Sequence, residues 1–254
     1  MELYHFLFSW FIAHDSIRAE VEGFRQALKA TMERNEIPID WEVASIQRWW
    51  KSHYKHIHSH HQNEDERLNP YLRERIVYPE KLEVDHIILT SHLDTIDGLV
   101  DNLSVSGTSL KKLYSAWYSY QSMMKPHLLE EEYFGIPLMR AYFKPKEIGK
   151  IVADIMGSKY APKEEMGAFI YFLGEKKFRE EFMKQEGIPF FVWWTDFKEK
   201  VDYYKTDVNI HMEALKAGVA PEPVLLKSSN IFPIVSIGIL AGVAGAYFII
   251  RNRT

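Results

Sequence analysis

Two pairs of side chains stand one helical turn apart, His60 with Glu64 and His127 with Glu131. Residues four apart on an α-helix share a face, so each pair can turn an imidazole nitrogen and a carboxylate oxygen toward the same metal ion. Two more histidines lie beside acids: His14 precedes Asp15, and His86 follows Asp85. The absence of cysteine removes thiolate-bound zinc, ordinary iron–sulfur clusters and disulfides, leaving imidazole and carboxylate as the metal ligands to look for. The chain has 11 histidines, and five of them, His53, His56, His58, His60 and His61, crowd one short stretch. Alternatives stay open within it. A one-residue change of register would pair His61 with Asp65, and Glu132 competes with Glu131. His56, one turn before His60, is placed to support a ligand from behind, whereas His5, His53, His58, His92 and His211 read as surface or satisfied core histidines. The acidic run Glu130 to Glu132 would otherwise be a solvated helix face, and burial of Glu131 separates the two readings.

Helical periodicity dominates the elements that must carry these groups. The pattern predicts a first helix from about Leu3 to Arg34 and a second from about Ile39 to about Asn69, ahead of Pro70. A third is predicted from about Pro79 to Leu103. The fourth should run from Ser109 to about Phe134, kinked at Pro126 and either stopped or broken in register by Gly135 and Pro137. Four long helices with short connections predict an all-α, up-down-up-down four-helix bundle over residues 1–140, each helix projecting ligands inward as in carboxylate-bridged di-iron bundles. Shorter amphipathic pieces follow near Lys146 to Gly157, Pro162 to Gly174, Glu175 to Gly187 and Phe190 to Gly218. They make residues 141–218 a helical extension packed on the bundle or a small second domain. Its Phe190-Phe191-Val192-Trp193-Trp194 cluster carries no motif that converts into chemistry.

The segments His14-Asp15-Ser16-Ile17-Arg18, His60-His61-Gln62-Asn63-Glu64-Asp65, Asp85-His86 and His127-Leu128-Leu129-Glu130-Glu131-Glu132, in that order, resemble the hemerythrin-like HHE family over roughly residues 1–140. The resemblance implies a non-haem di-iron centre ligated by His14, His60, Glu64, His86, His127 and Glu131. Both carboxylates would bridge the irons, and dioxygen would bind at the iron with an open position. One feature departs from the oxygen-carrying pattern, which has two histidines four apart on the third helix. Here Leu82 stands four before His86 and Thr90 four after it. His92, six residues on, lies about 240° further round the helix and cannot take that place. The likeness is therefore closer to five- or six-ligand members, including iron- and oxygen-sensing domains. The expected function is binding or sensing of iron, dioxygen or a related small ligand. The competing readings are a di-iron oxidase or peroxidase-like enzyme and a metal-free, tail-anchored helical adaptor.

With 31 basic and 35 acidic side chains in mixed order and a net charge of -4, the chain offers no extended basic surface, which argues against nucleic acid as a partner. The 46% of hydrophobic residues suffices for a core. Residues 219–230, with Pro221 and Pro223, read as a linker to an uncharged run from Ile231 to Ile250, long enough as a helix to span a bilayer core of about 30 Å. The expectation is a single-pass, tail-anchored protein with no N-terminal signal and its soluble domain in the cytosol. Arg251 and Arg253 against Lys227 pull mildly the other way. The host membrane stays open among mitochondrial outer, peroxisomal, endoplasmic reticulum and bacterial inner membranes. Gly238 and Gly242 give the span a small-residue spacing through which a homo-oligomer could form.

Overall fold

Apolar residues recur every three or four positions along the first helix, α1 (His5–Arg34), where Ile17, Val21, Phe24 and Leu28 are fully buried and His14 extends the same stripe by one turn. The computed structural model describes residues 5–35, 37–104, 109–156, 161–185 and 187–222, and these form helices and turns with no strand. The predicted span at 231–250 and most of the predicted linker lie outside them. Among the described residues no helix is long and apolar enough to cross a membrane.

Helix α2 (Asp40–Asn63) starts where the Glu42 carboxylate accepts the Ile39 amide at 3.1 Å. It passes directly into a π-helical turn (Glu64–Leu68) and a last α-turn, α3 (Asn69–Arg73). Pro70 does not end it: the proline sits in the first turn of α3, where a missing amide costs least. Pro79 precedes α4 (Glu80–Asp101) and Ser109 precedes α5 (Leu110–Tyr142). The fourth helix was expected to stop near Phe134, yet α5 runs through Pro126, Gly135 and Pro137. Beyond Gly135 it buries Ile136 and Met139 against Leu68, Leu72 and Leu82, and that burial offsets the backbone hydrogen bond that Pro137 cannot make.

The extension holds α6 (Pro145–Met156), α7 (Lys163–Phe172), α8 (Lys176–Gln185), α9 (Lys198–Tyr203) and α10 (Ile210–Ala217), with π-helical turns at Trp193–Phe197 and Tyr204–Asn209 on either side of α9. Gly218, at φ +73°, closes α10 in the left-handed conformation that glycine adopts without penalty. Among the long helices, α4 packs on α5, α5 on α1 and α2 on α4, but α1 and α2 barely meet. Helices α7 and α10 wedge between them. Ala168, Tyr204, Val208, Met212 and Leu215 accordingly share one core with Phe24, Trp49 and Trp117.

The interior is layered. Phe24 and Trp49 stack at 4.0 Å, with Trp117 edge-on at 5.8 Å from Trp49. Next comes a buried polar layer, in which Glu20 accepts hydrogen bonds from His53 Nδ1 at 2.7 Å, His56 Nδ1 at 2.9 Å and the Tyr204 hydroxyl at 2.7 Å. His53 Nε2 lies 3.1 Å from the Tyr120 hydroxyl. The histidine–carboxylate groups follow, and the apolar cluster around Leu68, Leu72, Leu82 and Ile136 closes that end.

Candidate metal centre

Each helix brings its candidate ligands to the interior by continuing an apolar stripe. Along α5 the buried positions Leu113, Trp117, Tyr120, Met124, His127 and Glu131 follow one another at spacings of three and four. On α4 His86 lies one turn before Leu89, and on α2 His60 lies one turn before Glu64. All six residues singled out by sequence, His14, His60, Glu64, His86, His127 and Glu131, are buried and meet in one region.

They form two groups that could each hold a metal ion. The first is His14, His60, Glu64 and Glu131; the second is His61, His86 and His127. The carboxylates join the groups, each giving one oxygen to either side. Glu64 Oε1 stands 3.9 Å from His14 Nε2 and 3.5 Å from His60 Nε2, while its Oε2 is 3.5 Å from His86 Nε2. Glu131 Oε2 is 3.5 Å from His14 Nε2, and its Oε1 is 3.3 Å from both His86 Nε2 and His127 Nε2. Two ligands bound at about 2.1 Å to one ion lie about 3.0 Å apart at right angles and about 4.2 Å apart across it. The observed spacings fall inside that interval, and most are too long for good hydrogen bonds.

The fit also shows in what these atoms lack. His14 Nε2, His60 Nε2, both nitrogens of His61, Glu64 Oε2 and Glu131 Oε2 are buried without a hydrogen-bond partner. A buried polar atom left unpaired costs about 1–3 kcal/mol, and a cation between the facing nitrogens and carboxylate oxygens is one partner that could satisfy several of them together. Several outer faces of the imidazoles are provided for. His14 Nδ1 donates to Glu132 at 3.0 Å and His86 Nδ1 to Asp65 at 2.7 Å, whereas His127 Nδ1, 3.6 Å from Asp85, has no hydrogen-bond partner among the described residues. Such bonds fix the tautomer and leave Nε2 free to ligate. Glu132 therefore holds a ligand from behind and does not replace Glu131.

Electrostatics divide the imidazoles: His60 and His61 stay neutral, whereas His14 and His86 hold a proton that a bound metal would have to displace. Burial disfavours charge on His60 and the nearby His14 adds to it, so His60 is held well below the usual imidazole range; burial and His86 do the same to His61. Both are thus neutral, the form that binds metal. Burial also opposes charge on His14 and His86, but their carboxylate partners outweigh it and raise them to about 9 and about 10. Burial and the neighbouring Glu131 push Glu64 up, as expected of two carboxylates that share one dry site.

His61 was not among the six. Its ring stacks on His86 at 4.2 Å and meets His127 edge-on at 5.8 Å, so the fifth imidazole comes from the second helix and not from the third. Helical geometry explains how adjacent histidines can both serve. His61 projects about 100° from His60, and Glu64 falls between them, about 40° past His60 and about 60° short of His61. That angular order was the signal available in the sequence. His56 does not ligate here; it pairs with Glu20, as does His53, which is fully buried at the core. His58 is exposed and His92 half-buried, and neither belongs to the two groups.

Comparisons with protein-family models, with curated proteins and with solved structures give no match for this chain. What stands on its own geometry is an all-helical protein with buried histidine and glutamate groups that could hold metal ions.

Proposed function

We propose that the chain is a non-haem di-iron protein of the hemerythrin-like kind, built on a four-helix bundle, that binds or senses dioxygen or a related small ligand. His61, His86 and His127 would hold one ion and His14 and His60 the other, with Glu64 and Glu131 spanning both. The observation that carries the reading is the division of each carboxylate, one oxygen toward each imidazole group. Iron suits a donor set of imidazole and carboxylate without thiolate, and when bound it supplies affinity for dioxygen, peroxide or nitric oxide. The two-imidazole side has one protein donor fewer, which favours it as the side where a ligand enters. Glu132 and Asp65 would orient the imidazoles of His14 and His86, and the apolar layers on either side would limit the access of bulk water. The uncharged run from Ile231 to Ile250 supports a bilayer as the place where this centre works.

The test is the iron content of the full chain beside a His60→Ala, His127→Ala double variant, with absorption spectra under nitrogen and under air. About two irons per chain, lost in the variant, with a spectral change on admitting air, is the expected result. Negligible iron in both chains would sink the metal reading and leave a helical adaptor. Catalytic turnover with an added reductant, faster than free iron achieves, would move the assignment to an oxidase or peroxidase-like enzyme.

A further inference from the structure

Between α1, the end of α2, α6 and α7 lies a cavity of about 100 Å³ that His60 and Glu64 line on one side. Helices α6 and α7 stand outside the four long helices, yet they supply much of its wall through Val152, Ile155, Met156, Met166 and Phe169. Apart from His60 and Glu64, its ionisable lining residues are His56 and Glu165.

Size and charge together narrow what fits. An apolar cavity of about 150 Å³ takes up benzene, so this one has room for about four or five non-hydrogen atoms, more than a diatomic gas needs. A charged guest would have to shed its water against mostly apolar walls, and an anion would also face the Glu64 carboxylate. His56 is already matched by Glu20 at 2.9 Å and offers no spare counter-charge. Glu165 accepts a hydrogen bond from Ser59 Oγ at 2.5 Å through one oxygen. Burial raises its carboxyl to about 7, so near neutrality a large share of it carries a proton that can be donated.

We propose that this cavity binds a small uncharged hydroxylic molecule, an alcohol or an alkyl hydroperoxide, with its oxygen near His60 and Glu64, its alkyl body against α6 and α7, and Glu165 as its hydrogen-bond partner. The chemistry such a guest would meet rests on the di-iron reading; the cavity and Glu165 stand without it. The extension thereby acquires a role, because it selects the guest while the four long helices hold the ligand set.

The experiment uses the full chain labelled with carbon-13 at the methionine methyl groups, prepared both metal-free and iron-loaded. The metal-free chain is titrated with tert-butanol and, separately, with ethyl hydroperoxide. Expected are saturable shifts of the Met156 and Met166 methyls, while Met124 and Met212 stay in place. Val152→Phe should fill the space and abolish the shifts. Glu165→Leu should weaken binding about tenfold, and Glu165→Gln, which keeps a donor, should restore it to within about threefold. The probe that binds more tightly distinguishes the alcohol from the hydroperoxide. Absence of any shift at Met156 and Met166, or shifts that persist in Val152→Phe, would overturn the proposal. Methyl shifts in a chain that takes up no iron would support the pocket while removing the di-iron reading; iron uptake without methyl shifts would overturn the pocket alone.

Discussion

Replacing His61 by leucine separates a seven-ligand centre from a six-ligand one. Leucine keeps most of the buried volume beside His86 but removes the nitrogens, so the perturbation acts on ligation more than on packing. On the di-iron reading the three-imidazole side would comprise His61, His86 and His127 with one oxygen each from Glu64 and Glu131, and it would lose one of these donors. Structural four-ligand zinc sites are worth about 10–16 kcal/mol, or roughly 3 kcal/mol per ligand, which corresponds to about 100-fold in affinity. The two-imidazole side keeps His14, His60 and both bridges and should change by less than about tenfold. Calorimetric titration with ferrous ion under nitrogen should thus show two tight binding events in the parent chain and one in His61→Leu. His58→Leu, at an exposed position on the same helix, should leave both events intact. Two ions bound by His61→Leu with parental affinity would refute the assignment of the fifth imidazole.

Glu132→Gln breaks the ionic support behind His14 and should weaken metal binding about 10–100-fold on the two-imidazole side, as read by competition with a chelator. Glu165 gives a pH dependence of known sign. Its carboxyl is raised from 4.5 to about 7 in the folded chain, so the folded state holds the proton more tightly and stability falls as pH rises from about 4.5 to about 7. Glu165→Gln lacks this effect, and its advantage in thermal unfolding should grow from nothing near pH 4 to about 1–3 kcal/mol at pH 8; an advantage that is constant with pH would contradict the raised carboxyl of this half-buried residue. Gly167→Ala would set a methyl 2.6 Å from the Lys200 carbonyl, where α7 meets α9. It should lower the thermal midpoint by the equivalent of about 1–3 kcal/mol, whereas Gly135→Ala, with nothing nearer than 3.8 Å, should lose no stability through crowding.

The stripes that carry the site were legible because ligands and core residues obey the same periodicity: His14 leads into Ile17, Val21 and Phe24, and His127 follows Tyr120 and Met124. Two kinds of feature were not. Helix ends depended on distant packing, as where α5 passes Pro137 because Ile136 and Met139 find partners on α3 and α4. The pairing of polar atoms needs the relative rotation of helices, so neither Glu20 between His53 and His56 nor Asp65 behind His86 could be assigned from spacing. His61 lies between these cases. Its angle to His60 is fixed by the helix, but whether α4 and α5 converge on that side is a matter of tertiary structure.

Helices α6 and α7 line one side of the cavity beside His60 and Glu64 and come later in the sequence than any of the candidate ligands, and this gives the protein an order of assembly. Phe172, the last residue of α7, lies 41 positions after Glu131. On a ribosome adding about 5–20 residues per second, that distance is about 2–8 s of synthesis. During this interval every candidate ligand has been made while α7 has not, so on the di-iron reading a nascent chain would offer His60 and Glu64 to metal through a wider mouth than the finished pocket has.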